Sequence, residues 1–245
     1  MKRIMLTVAY DGTNYHGWQI QPNAITIESV LNDALCALFK ENIKVIGASR
    51  TDTGVHAIGN VAVFDTMSRM PAEKVSYALN QRLPEDIRIQ HSVEVLPDFH
   101  PRRQNTKKTY IYQVLNREFP LPTQRLYAYF TYEPLDVSLM QCAADFLIGE
   151  HDFKSFCSAG TSAETTVRTI YALNVCKQGD LITIRVTGNG FLYHMVRIIA
   201  GTLIEVGKGK LCPTKLPCIL SSLDRAQAGP TAPACGLTLE QYEFL

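Results

Sequence analysis

The chain has 245 residues and a formal net charge of +1, with 46% hydrophobic and 19% charged residues. This composition is that of an ordinary soluble globular protein, and no apolar run approaches the ~20 residues that a membrane span requires. The near-neutral charge does not by itself indicate a nucleic-acid-binding protein, although a local basic surface would be enough for such binding.

The first half of the chain predicts six elements in the order β-α-β-β-α-β. They are a strand at 3–10, a helix capped by Thr26 with apolar positions 27, 30, 31, 34, 35 and 38, strands at 43–48 and 58–65, a helix from Pro71 to about Leu83, and a strand at 86–95. This order is that of a ferredoxin-like unit.

The second half predicts the same order again. Its elements are a strand at 107–115, a helix capped by Asp136 to about 148, strands at 167–177 and 181–187 joined by Gly179-Asp180, helices at 190–207 and near 213–225, and a strand at 236–243. We therefore predict an α+β fold of two ferredoxin-like halves, joined into a mixed, largely antiparallel sheet with a central cleft. The predicted domains are 1–98 and 107–245, joined by a basic linker at 99–106.

Residues 47–57 are the most informative segment. Arg50, Asp52, Thr53 and His56 lie close together around Gly54, between two apolar runs that are typical of strands. A carboxylate beside a base, in a loop that contains a glycine, is how a scaffold presents a nucleophile or general base. The loop has an alternative reading as a polar hairpin connection with a surface ion pair.

The densest basic stretch runs from His100 to Lys108 and is followed by Tyr110 and Tyr112. Basic side chains with interleaved aromatic residues are suited to hold phosphates and stack bases. A solvated linker has the same composition, so this stretch alone does not decide between the two.

The predicted helix at 190–207 has one continuous apolar stripe. Another face carries Gly190, His194, Arg197 and Gly201. An arginine on a face with few other charges needs an anionic partner, and Asp52 or a phosphate would serve. The alternative is a half-exposed helix with an incidental arginine.

These segments together resemble the tRNA pseudouridine synthase A family. The motifs that carry the resemblance are Arg50–His56; Tyr10-Asp11-Gly12 with Tyr15–Gln19; Asp98–Arg102; Lys108–Tyr112; Asp152–Phe156; Phe191–Arg197; and Gly236–Leu239. The resemblance implies an enzyme that flips a uridine out of the tRNA anticodon arm, at nucleotides 38 to 40, and isomerises it to pseudouridine. It also implies a homodimer that works without a cofactor.

The resemblance assigns a role to each matching position. Asp52 matches the catalytic aspartate, Arg50 the residue that helps to extract the base, and Tyr110 the tyrosine that stacks on it. Arg197 matches the arginine that pairs with the aspartate, and Leu237 an apolar residue that packs on the base. Residues expected to bind tRNA are Phe99, His100, Pro101, Arg102, Arg103, Lys107 and Lys108.

Two positions depart from the family pattern, and so does the segment 158–164, which is uncharged until Glu164, so that a tRNA contact there would have to come from backbone or hydroxyl groups. Ser49 stands where the family usually has a glycine, and Thr53 stands where it usually has an alanine. The first change affects the conformation of the loop and removes no functional group. The second adds a hydroxyl to which the sequence assigns no role.

Two other classes of function compete with an RNA isomerase. A non-catalytic RNA-binding protein would not need Asp52 and would usually show an RRM-type Gly-Phe-Gly-Phe pattern, which this sequence lacks. An aspartic protease would have to pair the single Asp52-Thr53-Gly54 across a dimer, and Arg50 would ionise an acid that a protease dyad keeps half protonated.

The compartment is predicted from the cysteines and the N-terminus. The seven cysteines form no CxxC pair, and an odd number cannot all be joined in disulfides. No signal-peptide pattern precedes the first strand-like run. We therefore expect a cytoplasmic protein with no structural metal.

Overall fold

A computed structural model describes residues 1–161 and 163–245. The chain forms two compact units, one of residues 1–105 with 239–245 and the other of residues 106–238. Both contain helices and mainly antiparallel strands, which confirms the predicted α+β class.

The first unit contains the predicted β-α-β-β-α-β series. Its elements are β1 (Lys2–Tyr10), α1 (Ile27–Phe39), β2 (Ile46–Gly47), β3 (His56–Thr66), α2 (Ala72–Asn80) and β4 (Ile87–Val95). Strand β1 lies between β3 and β4 and is antiparallel to both, while β2 pairs with the far side of β3. The last strand, β10 (Leu237–Phe244), begins in the second unit and ends in the first.

Alternation and capping explain these elements. In β1, Ile4, Leu6, Val8 and Tyr10 are buried on one face of the sheet, as the period of two requires. Helix α1 begins where predicted, because the Thr26 hydroxyl accepts from the Ser29 N–H and the Ser29 hydroxyl accepts from the Thr26 N–H.

Strand β3 has a β-bulge near its start. Val8 of β1 is opposite Asn60, whereas Tyr10, two residues further, is opposite Ala57, so β3 contains one extra residue. A bulge changes the direction in which the neighbouring side chains point, and bulges are frequent beside active sites. This one lies directly after the loop that carries Asp52.

The second unit repeats the strand order of the first. Its elements are β5 (Thr106–Asn116), β6 (Tyr129–Thr131), α3 (Val137–Asp145), β7 (Gly149–Asp152), β8 (Val167–Gln178), β9 (Leu181–Gly188), α4 (Met195–Gly207) and α5 (Leu216–Ser222). Strand β9 lies between β5 and β8 and is antiparallel to both, as β3 lies between β1 and β2. Strand β6 is parallel to β5, and β7 is antiparallel to β8. The sequence did not predict these two short strands.

Several predicted boundaries are wrong. Three helices are shorter than predicted, since α2 ends at Asn80, α3 ends at Asp145, and α5 covers Leu216–Ser222. Two further boundaries differ for a reason that the structure shows. The strand expected at 43–48 is reduced to Ile46–Gly47, because the N–H groups of Ile43 and Val45 bond to side chains of α1 instead of a neighbouring strand. The helix expected from 190 begins at Met195, because His194 has a left-handed backbone with φ of 61°.

No helix in residues 1–161 and 163–245 is long and apolar enough to cross a membrane.

Candidate active site

The loop between β2 and β3 carries Asp52 and is held along its length by hydrogen bonds. The Ala48 N–H donates to the Val61 carbonyl at 2.7 Å, and the Thr51 carbonyl accepts from the Trp18 N–H at 3.1 Å. The Asp52 carbonyl accepts from the Val55 N–H at 3.1 Å, which closes a tight turn around Thr53 and Gly54. Gly54 has φ of 76°, a left-handed conformation in which glycine is favoured.

The segment after β1 packs directly against this loop. A Cβ on Gly12 would lie 2.0 Å from the Val55 carbonyl oxygen, and a Cβ on Gly17 would lie 2.5 Å from that of Thr51. The Gly54 N–H donates to the Tyr15 carbonyl. The motif at 10–18 therefore supports the Asp52 loop, a role that the sequence analysis did not assign to it.

A buried group of polar side chains lies next to the same loop. The Tyr10 and Thr51 hydroxyls are 2.7 Å apart, and the Asn60 amide donates to the Tyr10 oxygen at 3.2 Å. The Asn60 amide also bonds to both the N–H and the carbonyl of Ser49. Sequence analysis assigned no role to Tyr10, Thr51 or Asn60, although Tyr10 and Thr51 lie in motifs of the family resemblance. The one signal for Asn60 was an asparagine inside an otherwise largely apolar strand.

The side chains of Arg50 and Asp52 differ in exposure. Arg50 is exposed, whereas Asp52 is half-buried and Thr53 is exposed beside it. His56 is buried, and its Nδ1 lies 3.0 Å from the Asp11 carboxylate and 3.1 Å from the Gly12 N–H. The loop thus presents a cation and a carboxylate two residues apart, from a backbone that is fixed beneath them.

Arg102 joins the predicted basic stretch to the start of this loop. Its Nε donates to the Gly47 carbonyl at 2.7 Å. Burial, followed by the positive charge of Arg50, lowers the pKa of Arg102. Within the first unit, Asp52 and Arg50 therefore lie on one loop, and Arg102 is bonded to the start of that loop.

The neighbours of Arg102 are fixed by packing within the first unit. The Phe99 ring meets the Phe244 ring edge-on at 5.1 Å, and the Pro101 carbonyl accepts from the Tyr242 hydroxyl. Desolvation and the charges of Arg103 and Arg102 lower the pKa of His100, so the stretch has a positive local potential. Arg103 itself is exposed.

Tyr110 lies on β5 in the second unit and is 8% exposed. Its ring meets that of Phe191 edge-on, with the centroids 5.3 Å apart and an interplanar angle of 85°. Such a contact fixes the plane of the tyrosine ring. Lys107 and Lys108, at the start of the same strand, are half-buried.

Arg197 lies in the first turn of α4 and is bound to a neighbouring segment. Its Nε donates to the Ala232 carbonyl at 2.7 Å, and its own carbonyl accepts from the Ala232 N–H. Gly201 permits this approach, because a Cβ there would lie 1.8 Å from the Pro230 carbonyl oxygen. The pairing of Arg197 with Asp52 stays a prediction.

The predicted helical face at 190–201 is only partly helical. His194 precedes the helix, and its Nδ1 lies 2.9 Å from the Ser158 hydroxyl. The Tyr193 ring stacks on the His194 ring with the centroids 3.8 Å apart. Backbone approaches this face closely at Gly201, whereas a Cβ on Gly190 would lie 3.6 Å from the Arg168 side chain.

Leu237 is the first residue of β10 and is 5% exposed. Gly236 before it passes close to β5, since a Cβ there would lie 2.7 Å from the Tyr112 ring. The Tyr112 hydroxyl donates to the Pro233 carbonyl at 2.9 Å. The second unit therefore carries Tyr110, Arg197 and Leu237, each fixed by local contacts.

Comparison with known proteins identifies the family. A family model described as tRNA pseudouridine synthase matches residues 6–102 and 143–244. The protein named tRNA pseudouridine synthase A of Thermoanaerobacter sp. is 49% identical over 239 residues, which is 98% of each chain. Its namesakes from Ruminiclostridium cellulolyticum and Brevibacillus brevis are 50% and 48% identical over 100% of each chain.

One solved structure shows a weaker similarity. A chain from the crystal structure of a Cbf5-Nop10-Gar1 complex matches with 14% identity and a TM-score of 0.35, over 82% of this chain and 54% of its own. The present chain thus spans about half of that one. The full-length relatives and the family match together show that this chain belongs to the tRNA pseudouridine synthase family and is an isomerase.

Proposed function

We propose that this enzyme isomerises uridine to pseudouridine at nucleotides 38 to 40 of the tRNA anticodon arm, with Asp52 as its catalytic residue. The observation that carries the proposal is the placement of Asp52. Its carboxylate is half-buried, on a loop whose backbone is anchored by β3, by the segment at 10–18 and by Arg102. An anchored carboxylate is suited to meet one atom of a bound nucleotide repeatedly in the same geometry.

The chemistry requires a carboxylate and little else from the side chains. Isomerisation breaks the glycosidic C–N bond, rotates the base and joins C5 to the sugar, with no change of oxidation state. Asp52 has three routes: attack on C6 of the base, attack on C1′ of the sugar, or removal of a sugar proton. The proposal includes all three, because each places the same carboxylate at the reacting nucleotide.

The target uridine must leave its stack before it reacts. Extrusion costs a few kcal/mol in lost stacking and pairing. Arg50 is exposed beside Asp52, and we assign to it the extraction of the base. Tyr110, whose ring plane is fixed by Phe191, is assigned to stack on the extruded base, and Leu237 to pack on it.

The remaining parts of the proposal concern partners and location. The positive potential around His100 supports an assignment of Arg102, Arg103, Lys107 and Lys108 to the tRNA phosphates, with Phe99, His100 and Pro101 at the same surface. The homodimer and the cytoplasmic location come from the family resemblance and the sequence. Sedimentation of the purified enzyme tests the homodimer, because a single species of monomer mass would overturn it.

Tritium release from C5 of labelled uridine tests the position of the reaction. Transcripts of one tRNA would carry uridine at only one of nucleotides 38, 39 and 40, and a fourth transcript would carry cytidine at all three. We expect release from the first three and none above background from the fourth, in which labelled uridines remain elsewhere. Equal release from the fourth transcript would contradict anticodon-arm specificity.

A further inference from the structure

We propose that Tyr10, Thr51 and Asn60 form a buried hydrogen-bonded chain that orients Asp52 for the reaction. They are positioning residues, because they hold Ser49 and Thr51, on the two sides of Arg50. Fixing Thr51 also fixes the backbone from which Asp52 extends. This inference rests on the proposed role of Asp52. It assigns a role to three residues that lie beneath the loop and have no part in the chemistry itself.

Every hydrogen-bonding group of the Asn60 side chain has a partner, and two of its four bonds go to the loop. It is fully buried, and its amide nitrogen donates to the Ser49 carbonyl at 3.1 Å and to the Tyr10 oxygen at 3.2 Å. Its amide oxygen accepts from the N–H groups of Ser49 at 3.3 Å and Val61 at 2.9 Å. Both donors and both acceptor positions are thus occupied, and only the bond to Val61 stays within β3.

These partners also fix the orientation of the amide. A flipped amide would point its nitrogen at the N–H groups of Ser49 and Val61, which are both donors. The orientation with the oxygen toward them is therefore the one that satisfies every group. In this orientation the Asn60 side chain bonds to both the N–H and the carbonyl of Ser49, as the backbone of a neighbouring strand would.

Tyr10 extends the chain from Asn60 to the residue before Asp52. The Tyr10 oxygen accepts from Asn60 and lies 2.7 Å from the Thr51 hydroxyl. Thr51 is buried, and its carbonyl accepts from the Trp18 N–H. Both the side chain and the main chain of Thr51 are consequently held, so the direction in which Asp52 leaves the backbone is determined.

The bulge in β3 brings these groups together. With regular pairing, Tyr10 would be opposite residue 58, but the extra residue shifts its partner to Ala57. Bulges change the aim of side chains next to functional loops. An amide beside the buried apolar run Val61–Phe64 of β3 costs free energy unless its bonds are satisfied. Two of its four bonds go to Ser49 of the loop and a third goes to Tyr10.

Loss of this chain should affect the rate more than tRNA binding. Removal of the Tyr10 hydroxyl leaves a buried donor of Asn60 and the Thr51 hydroxyl without their partner, so the loop relaxes and Asp52 loses its fixed geometry. Binding of tRNA depends on a long charged surface that these buried groups do not reach. We therefore expect a lower kcat with an unchanged KM.

The test compares tritium release by the full-length enzyme and by the variants Tyr10→Phe, Thr51→Val and Asn60→Asp. Tyr10→Phe and Thr51→Val are near-isosteric and should keep the fold, so the test can still be made if Asn60→Asp does not fold. We expect kcat to fall about tenfold or more in each, ~1.4 kcal/mol of barrier, with KM for tRNA within about twofold. The double variant Tyr10→Phe/Thr51→Val should fall no further than the lower single variant, because one chain is broken in both.

Asn80→Asp is the matched control. Asn80 at the end of α2 binds the Ile89 backbone on two sides, at 2.9 and 2.8 Å, in the same way that Asn60 binds Ser49. This variant should lose thermal stability and keep kcat, because its amide holds β4 and not the loop. A fall in kcat equal to that of Asn60→Asp would mean that general destabilisation explains both, and would overturn the inference.

The two proposals fail in different ways. An active wild type with unchanged kcat in Tyr10→Phe and Thr51→Val would overturn the positioning role and leave the proposed function intact. If Asp52→Asn retained full activity, the proposed role of Asp52 would fail, and the positioning role would fail with it.

Discussion

The hydroxyl of Ser49 is buried without a hydrogen bond among the described residues. The side chain is 3% exposed, and its Oγ has no hydrogen-bond partner within the described residues, although both backbone groups bond to Asn60. A buried unsatisfied hydroxyl is destabilising. We expect Ser49→Ala to raise the free energy of unfolding by about 1 kcal/mol in chemical denaturation.

Ser29→Ala serves as the control for this prediction. Its hydroxyl accepts from the Thr26 N–H in the capping box of α1, so its loss should lower the free energy of unfolding by about 1 kcal/mol. If the two variants were destabilised alike, Ser49 would have a bonding partner after all.

Arg197 is the second residue whose role is open to direct test. Its Nε already donates to the Ala232 carbonyl. The family resemblance implies that the other guanidinium nitrogens bind the carboxylate of Asp52. A lysine has three N–H donors on a single nitrogen, which cannot occupy the positions of both Nε and the terminal nitrogens of the planar guanidinium. Arg197→Lys should therefore lower kcat about tenfold or more with little change in KM for tRNA. Arg185→Lys on β9, an exposed position, is the control, and intact kcat in Arg197→Lys would show that Arg197 has no role in the reaction.

At the scale of elements, the segment after β1 and the Asp52 loop behave as one structural piece. Gly17 has φ of 81°, and a Cβ there would lie 2.5 Å from the Thr51 carbonyl oxygen. Because that oxygen belongs to a held backbone, it cannot move without the loop. Gly17→Ala should cost more than about 2 kcal/mol of stability and should lower kcat.

Gly179→Ala measures the free-energy cost of placing alanine at a positive φ where no steric clash is added. Gly179 in the β8–β9 turn also has a positive φ, of 59°, but no non-neighbouring atom of residues 1–161 and 163–245 lies within 4 Å of a Cβ built there. Its substitution should cost about 1 kcal/mol and leave kcat unchanged. Equal losses of activity in the two glycine variants would mean that the loop does not depend on Gly17.

Local signals predicted the elements that depend on local contacts. The caps at Thr26 and Asp136 and the turn at Gly179-Asp180 were correctly predicted, because each is formed by residues within a few positions of one another. The strand at 43–48 was overestimated because its N–H groups bond to side chains of α1, up to 13 residues away. The alternation of apolar residues at 43–48 gives no sign that side chains of α1 will bind these N–H groups.

At the scale of the whole molecule, the sequence predicted candidate reactive residues but not the residues that support them. The loop with Asp52 was evident from its own composition. Tyr10 and Asn60 were not, because their bonds join residues 41 and 50 positions apart in the chain. Arg102 was predicted only as a phosphate ligand, whereas its Nε bonds to the Gly47 carbonyl.

Binding of tRNA by the whole enzyme should depend on salt through the basic stretch. Arg103 is exposed there, and its charge contributes to the lowered pKa of His100. Arg103→Gln should flatten the dependence of log affinity on log salt by about one unit of slope for every tRNA substrate. Arg69→Gln is the control, since Arg69 lies beyond the end of β3 that is opposite to the Asp52 loop. An unchanged slope in Arg103→Gln would make this stretch a solvated segment.

The most direct test of the central claim is tritium release by Asp52→Asn, beside Asp33→Asn on the exposed face of α1. Asparagine keeps the size of the side chain and removes its charge, so the fold and the affinity for tRNA should persist in both variants. We expect activity to fall by orders of magnitude in Asp52→Asn and to stay at the wild-type level in Asp33→Asn. Retention of more than about a tenth of wild-type turnover by Asp52→Asn, a barrier change under ~1.4 kcal/mol, would contradict the assignment of Asp52 as the catalytic residue.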